Sequence, residues 1–175
     1  FTASLATLEL LELDYSKISL GFGLSLGEYT ALVAGKKATF AEFLPIVEKR
    51  GRLMGEVSQK FPGKMVVTMK VPVEILTETI HEVNPKEVFI CNFNTKEQIV
   101  IGGMNDSVDQ VVSLLKEKGF KKLIPLKVSG AFHTPLLHEV VETLTPVIER
   151  FSFEKEIFPL LSNVAGEIHG ADFKE

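Results

Sequence analysis

The sequence predicts an α/β fold in two parts, a larger core and a smaller sub-domain inserted into it. In the core, the apolar β-type run Lys17–Leu20 is followed by a turn and by the amphipathic helical pattern of Leu26–Val33, which together form a strand–turn–helix unit. Beyond the breaker cluster Phe61–Gly63, the pattern changes to strand, helix, strand, strand, helix, strand. That order is typical of the split βαβ arrangement of ferredoxin-like units, so we expect the sub-domain to span residues 63–127.

The elements of the core are predicted from helical spacing and from turn-forming residues. They are expected in the order helix, strand, helix, helix, helix and strand, over residues 2–13, 17–21, 26–34, 40–58, 136–151 and 158–163. The first of these helices is expected to be buried. Thr39 and Glu42 form a capping box that marks the start of the helix over 40–58. Pro45 predicts a bend or a later start in that helix.

Runs of β-branched residues alternate with helical spacing in the sub-domain. Its elements are expected over residues 65–71, 73–83, 88–92, 98–101, 107–118 and 122–127. The core then comprises residues 1–62 and 128–175, so the sub-domain is an insertion between its two segments.

Composition and charge exclude several classes of protein. With 175 residues, 45% hydrophobic and 24% charged, the chain suits one globular domain with a small insert. A formal net charge of -4 indicates no nucleic acid partner, and charged residues interrupt every apolar run before it reaches the length of a membrane span. The single cysteine, Cys91, excludes an internal disulfide and fits a reducing compartment. Because no signal-peptide pattern is visible, we expect a cytoplasmic protein without a nucleic acid or membrane partner.

The most informative motif is Gly-x-Ser-x-Gly at residues 23–27. Between a strand and a helix, this motif predicts a sharp turn that exposes the hydroxyl of Ser25 as a nucleophile. The flanking glycines permit the tight backbone, and the N–H of Leu26 is expected to point at a developing oxyanion. The alternative is a structural serine that only caps the helix.

Two further residues are ambiguous by themselves. His133 lies in the short loop Ser129–Pro135, where a histidine can transfer protons or be merely structural or exposed. Arg50 can bind a carboxylate through two parallel hydrogen bonds or, like Arg52, be a solvated helix charge. The remaining histidines are expected at the surface, and because none has metal-ligand spacing no metal is predicted: His81, His138 and His169.

Several ordered motifs together resemble one enzyme family. They are Gly23–Tyr29, Lys49–Met54, Cys91–Asn94, Gln98–Gly103 and Gly130–His133. Taken together, they resemble the malonyl-CoA:acyl carrier protein transacylase family along essentially the whole chain. The resemblance implies an α/β-hydrolase-like core with an inserted ferredoxin-like (βαββαβ) sub-domain. It also implies transfer of a malonyl group from coenzyme A to the phosphopantetheine thiol of acyl carrier protein, for fatty acid biosynthesis.

The resemblance further implies roles for individual residues. Ser25 is the nucleophile and His133 the base, while the N–H of Leu26 belongs to the oxyanion hole and Arg50 binds the malonyl carboxylate. The substrate pocket is expected to include Leu24, Phe132, Asn92, Asn94 and Gln98. Leu24 departs from the commoner family pattern, in which a histidine precedes the serine. The substrate is a coenzyme A thioester, and no cofactor is required.

Three other functions are compatible with the same motifs. An acyltransferase of a polyketide synthase shares them, and a serine thioesterase or esterase shares the turn but has no need of Arg50. The third alternative is a binding module without activity. Family members have an upstream glycine-rich segment with an oxyanion-hole glutamine and extend beyond Glu175, so the resemblance implies that the core is incomplete at both ends.

Overall fold

The structure of the protein is a computed structural model, and it describes residues 1–169. Its helices and strands follow in the order α1 (Thr2–Leu10), β1 (Gly21–Phe22), α2 (Leu26–Ala34), α3 (Phe40–Lys60), β2 (Gly63–Met69), α4 (Val73–Val83), β3 (Val88–Thr95), β4 (Gln98–Met104), α5 (Asn105–Glu117), β5 (Leu123–Pro125), α6 (His138–Glu149) and β6 (Leu160–Leu161). Short 3₁₀ turns cover Tyr15–Lys17 and Pro135–Leu137. Some strands pair in parallel and others antiparallel, so the predicted α/β fold is confirmed.

Contacts along the chain divide it into two units. The first comprises Phe1–Gly51 and Leu144–Glu175, and the second comprises Arg52–Thr143. The predicted sub-domain, residues 63–127, falls within the second unit, which also contains the end of α3 and the start of α6. The domain limits drawn from the sequence remain a prediction.

The first unit is built around a two-stranded parallel sheet. Strand β1 pairs with β6, with Gly21 opposite Leu160 and Phe22 opposite Leu161. Most of the buried apolar side chains of this unit form one cluster: Leu32, Val33, Ala38, Phe43, Ile46, Phe158 and Leu160. Helix α2 and the first turns of α3 are therefore held by the same core that supports the sheet.

Two expectations for the start of the chain are wrong. Residues 17–20 are not a strand, because Tyr15–Lys17 is a 3₁₀ turn and only Gly21–Phe22 find a pairing partner, in β6. The first helix is shorter than expected and no residue of it is buried. Its leucines surround the helix axis, so that Leu5 packs against the core while Leu10 is 84% exposed.

The capping box at the start of α3 is confirmed. The backbone N–H and the hydroxyl of Thr39 both donate to Oε2 of Glu42, at 2.9 and 2.5 Å, and the N–H of Glu42 donates back to Oγ1 of Thr39 at 3.3 Å. Helix α3 begins at Phe40, directly after Thr39, so the later start expected from Pro45 is wrong. A proline near the N-terminus of a helix removes only one hydrogen bond, which the rest of α3 tolerates.

A buried ion pair in the first unit was not predicted. The side chain of Lys37 is 2% exposed, and its Nζ lies 2.9 Å from Oε2 of Glu156. The hydrogen bond from Lys37 lowers the pKa of Glu156. A buried ammonium group needs such a partner, because desolvation otherwise disfavours its charged form.

The second unit contains the predicted alternation of strands and helices. Its sheet has the strand order β3-β4-β2-β5, and every pair is antiparallel. Strands β3 and β4 run further than expected because they pair along most of their length as a hairpin, with irregularities between Ile90 and Asn92 and between Phe93 and Thr95. Helix α4 has the predicted bounds, Val73–Val83.

The two faces of this sheet bury different side chains. Val66, Ile99 and Ile101 pack with residues of α4 and α5 in one apolar cluster. Met65 and Val67, which alternate with Val66 along β2, belong to a second cluster. Within residues 1–169, no helix combines the length and the apolar character needed to cross a membrane.

Candidate active site

Ser25 lies on a strained turn between β1 and α2. Its φ of 54° and ψ of −109° lie outside the regions that residues with a side chain normally adopt, at a cost of about 1–3 kcal/mol. Gly23 makes the turn possible, because a Cβ at this position would lie 2.0 Å from the carbonyl oxygen of Gly27. Leu26 is the first residue of α2, and the first N–H groups of a helix have no acceptor within the helix. The local geometry is therefore that of a nucleophile turn.

Two residues that the sequence reasoning missed hold this turn. The side-chain Oδ1 of Asn163 accepts a hydrogen bond of 2.8 Å from the backbone N–H of Ser25. The N–H of Asn163 donates to Oε1 of Glu28 at 2.9 Å. Parallel pairing of β1 with β6 brings the ends of both strands to the same edge of the sheet, where polar residues converge. That rule, applied to the predicted strand over 158–163, is a signal that could have identified Asn163.

Arg50 reaches Ser25 from α3. Its Nη2 donates to Oγ of Ser25 at 3.0 Å, and the guanidinium carbon lies 5.4 Å from the ring centroid of Tyr29. A cation at this distance from an aromatic ring is attracted to it, which helps to hold the guanidinium near Ser25. Burial raises the pKa of Tyr29 despite the opposing charge of Arg50. The structure thus brings together two of the predicted site residues, Ser25 and Arg50.

His133 lies in the second unit, in a loop that is fixed by its neighbours. A Cβ at Gly130 would lie 2.1 Å from Oγ of Ser58, so this close approach requires glycine. The hydroxyl of Thr134 donates to the carbonyl of Ala131 at 2.7 Å. The side chain of His133 is exposed and its φ is 59°. Its predicted role as base stays a prediction.

The residues predicted for the substrate pocket are of two kinds. Leu24 is 52% exposed and lies beside Ser25 in the first unit, next to Leu26, which is 39% exposed and was predicted for the oxyanion hole and not for the pocket. The others belong to the second unit, where Nδ2 of Asn94 donates to Oε1 of Gln98 at 2.9 Å. Phe132 packs against the cluster of Met65, Val67 and Val100, and Asn92 is half-buried in β3. Their part in a pocket stays a prediction.

The expectation that all three remaining histidines lie at the surface is wrong for one of them. His81 and His138 are exposed, but the side chain of His169 is 1% exposed and its Nε2 lies 3.4 Å from Oε1 of Glu28. Its single position near the end of the chain offers no pattern from which burial could be predicted. Among the described residues, no group of three or more His, Cys, Asp or Glu side chains could hold a metal ion.

Comparison with known proteins gives one consistent answer. A family model described as acyl transferase domain matches residues 19–159. The malonyl CoA-acyl carrier protein transacylase of Bacillus subtilis (strain 168) is 36% identical over 180 residues, which cover 99% of this chain and 56% of that protein. The matching part therefore includes both Ser25 and His133.

Solved structures agree with the sequence comparisons. The crystal structure of MCAT from Streptococcus pneumoniae superposes with a TM-score of 0.82 at 38% identity, covering 94% of this chain and 53% of that one. A type II PKS acyl-carrier protein in complex with its malonyl-transacylase gives a TM-score of 0.80 at 34% identity, covering 87% and 50%. The chain spans about half the length of the curated relatives it matches. It belongs to the acyl transferase domain family.

Proposed function

We propose that this chain contains the nucleophile and the substrate-binding arginine of a malonyl-CoA:acyl carrier protein transacylase. The observation that carries the proposal is the hydrogen bond of 3.0 Å from Nη2 of Arg50 to Oγ of Ser25, at a strained turn of the nucleophile type. A guanidinium beside the nucleophile suits an acyl group that itself carries a carboxylate. The relatives named malonyl CoA-acyl carrier protein transacylase support the same substrate.

The proposed reaction has two steps that share one seryl ester. Oγ of Ser25 attacks the thioester carbonyl of malonyl-CoA, its proton passes to His133, and the carbon–sulfur bond breaks as the protonated imidazole returns the proton to the coenzyme A sulfur. The oxyanion of the tetrahedral intermediate accepts a hydrogen bond from the N–H of Leu26. In the second step, His133 takes the proton of the carrier's phosphopantetheine thiol and the sulfur attacks the ester carbonyl. The bond from the carbonyl carbon to Oγ then breaks as the imidazolium returns the proton to Ser25, and the malonyl group leaves as a thioester of the carrier.

These steps define the proposed partners. Malonyl-CoA supplies the acyl group and acyl carrier protein accepts it. The similar structure of a type II PKS acyl-carrier protein in complex with its malonyl-transacylase supports the second partner. Each step transfers one acyl group and one proton, so the chemistry as proposed requires no cofactor. We propose the cytoplasm as its location, where fatty acid biosynthesis takes place.

We also propose the finer description of the fold. The strand order β3-β4-β2-β5, with α4 and α5 packed on one face, supports a ferredoxin-like sub-domain over residues 63–127. The strand β1, the turn at Ser25 and helix α2 support an α/β-hydrolase-like core over residues 1–62 and 128–175.

Intact-mass spectrometry of the full chain after mixing with malonyl-CoA tests the function. We expect one added malonyl group, located by proteolysis on the peptide that contains Ser25, and its disappearance when acyl carrier protein is added. Release of coenzyme A without an adduct would indicate a thioesterase instead. Neither adduct nor release by the full chain would contradict the proposal. A choice between carrier proteins of fatty acid and polyketide synthesis would separate the two biosynthetic roles.

Replacing Arg50 by alanine tests the carboxylate-binding role. We expect kcat/KM for malonyl-CoA to fall about 10²-fold, because the malonyl carboxylate loses a charged hydrogen-bond partner, while kcat/KM for acetyl-CoA changes less than about tenfold. The measurement is steady-state coenzyme A release with each substrate. Arg52→Ala is the matched control, since Arg52 lies on the same helix but is exposed and pairs with Glu56 at 3.0 Å. An equal fall in kcat/KM for both substrates would contradict the carboxylate-binding role, and would mean that Arg50 acts only through its hydrogen bond to Ser25.

A further inference from the structure

A closed set of three hydrogen bonds surrounds the backbone of Ser25. The N–H of Ser25 donates to Oδ1 of Asn163 at 2.8 Å, the N–H of Asn163 donates to Oε1 of Glu28 at 2.9 Å, and the N–H of Glu28 donates to the carbonyl of Ser25 at 3.1 Å. The ring thus joins the turn, the first turn of α2 and the segment after β6. All three residues belong to the first unit.

We propose that Asn163 is a positioning residue for the nucleophile. Ser25 has a φ of 54°, which is unfavourable for a serine unless neighbouring groups hold it. Both hydrogen-bonding groups of its own backbone are engaged by the ring. The amide oxygen of Asn163 supplies the contact from outside the strand–turn–helix unit, across 138 residues of sequence.

Glu28 holds Asn163 in the position from which its amide oxygen reaches the N–H of Ser25. Its carboxylate accepts the N–H of Asn163 and also lies 3.4 Å from Nε2 of the buried His169. A carboxylate held between these two groups fixes the backbone of Asn163, and therefore the place of its side-chain amide. The side chain of Asn163 is half-buried, so water competes weakly for the N–H of Ser25.

The expected consequence concerns the chemical step and not substrate binding. Without the amide oxygen, the turn can relax toward commoner backbone angles, which displaces both the hydroxyl of Ser25 and the N–H of Leu26. Displacements of about 1 Å cost on the order of 10²-fold in rate. The carboxylate of the substrate is bound by Arg50, which makes no hydrogen bond to Asn163 among those of the described residues. This part of the inference rests on the proposed function.

The test compares three variants of the full chain. Asn163→Leu removes the acceptor while keeping similar bulk, and we expect kcat to fall about 10²-fold with KM for malonyl-CoA changed less than about threefold. Asn163→Asp keeps an oxygen at the same reach and is expected to recover at least about tenfold of that loss. Asn84→Leu is the matched control, because the half-buried Asn84 likewise accepts a backbone N–H, from Lys86 at 3.0 Å, in the second unit.

Hydrogen exchange at the Ser25 amide gives a readout that does not depend on activity. It is expected to be at least about tenfold faster in Asn163→Leu than in the unmutated chain, and protected again in Asn163→Asp. An unchanged kcat, a change confined to KM, or unchanged amide exchange would each overturn the proposal. If Asn163→Leu does not fold, Asn163→Ala removes the same oxygen with less bulk and is judged by the same outcomes.

The two proposals fail in different ways. If the unmutated chain forms no malonyl adduct, the proposed function is wrong, and amide exchange alone still decides whether Asn163 holds the turn. If the adduct forms but Asn163→Leu reacts at the normal rate, only the positioning role is wrong.

Discussion

Ser25→Ala is expected to abolish the malonyl adduct and to lower transfer to acyl carrier protein by a factor of about 10⁴ or more. The change removes one oxygen atom, the only atom of this residue that can form the ester. Alanine and serine have similar difficulty with a φ of 54°, so the turn itself should persist. Intact-mass spectrometry and single-turnover transfer measure the two effects.

The control for Ser25→Ala is a serine in the same unit that lies away from the turn. Ser19 is exposed and precedes β1, so Ser19→Ala should keep both the adduct and the rate. An adduct of the same mass on Ser25→Ala would show that another side chain is the nucleophile. The hydrogen bond from Arg50 would then be left without a role in acylation.

Gly23→Ala is expected to remove activity by a different route, through the backbone. The new Cβ would lie 2.0 Å from the carbonyl oxygen and 2.1 Å from the carbonyl carbon of Gly27. These are backbone atoms at the start of α2, and they cannot rotate away as a side chain can. The turn must therefore open, and we expect the free energy of unfolding to fall by about 3 kcal/mol or more. Urea unfolding measures the loss, and the malonyl adduct should also disappear.

Gly27 provides the matched control, since it is the other glycine of the same motif. Apart from its chain neighbours and the nearby backbone of α2, no described atom would lie within 4 Å of a Cβ there. Gly27 also lies in α2, where alanine is preferred to glycine by about 1 kcal/mol. Gly27→Ala should therefore leave stability unchanged or slightly raised. A similar loss for both variants would mean that the crowding at Gly23 is not what the motif protects.

Local patterns in the sequence predicted those parts of the fold that depend on neighbouring residues. Helix α4 has its predicted bounds, and the capping box of Thr39 and Glu42 marks the start of α3. The strand before Ser25 was misplaced because its position is set by a distant partner, Leu160–Leu161. The predicted burial of α1 was wrong for a related reason. The spacing of apolar residues along a helix does not say which side of the helix contacts a core.

The residues of the candidate site likewise differ in whether a local pattern could identify them. Ser25 was found from a motif of five residues, and Arg50 from a stretch that carries the family resemblance. The roles of Asn163 and Glu28 could not be found from a local motif, because Asn163 contacts Ser25 and Glu28 across 138 and 135 residues of sequence. The burial of Lys37 could not be predicted either. A lysine in a glycine-containing turn is expected to be solvated, and only the fold brings Glu156 beside it.

The single cysteine has a consequence for how the proposed chemistry can be followed. Burial raises the pKa of Cys91 to about 12, so almost no thiolate is present at neutral pH to compete for an acyl group or to react with an alkylating agent. Because the sequence has no other cysteine, a maleimide or disulfide reagent mixed with this chain and malonyl-CoA, without the carrier, reports on the coenzyme A that acylation of Ser25 releases. The proposed acylation of Ser25 can therefore be followed continuously with the unmodified chain, whereas transfer to the carrier consumes one thiol for each one released and leaves the dye signal unchanged.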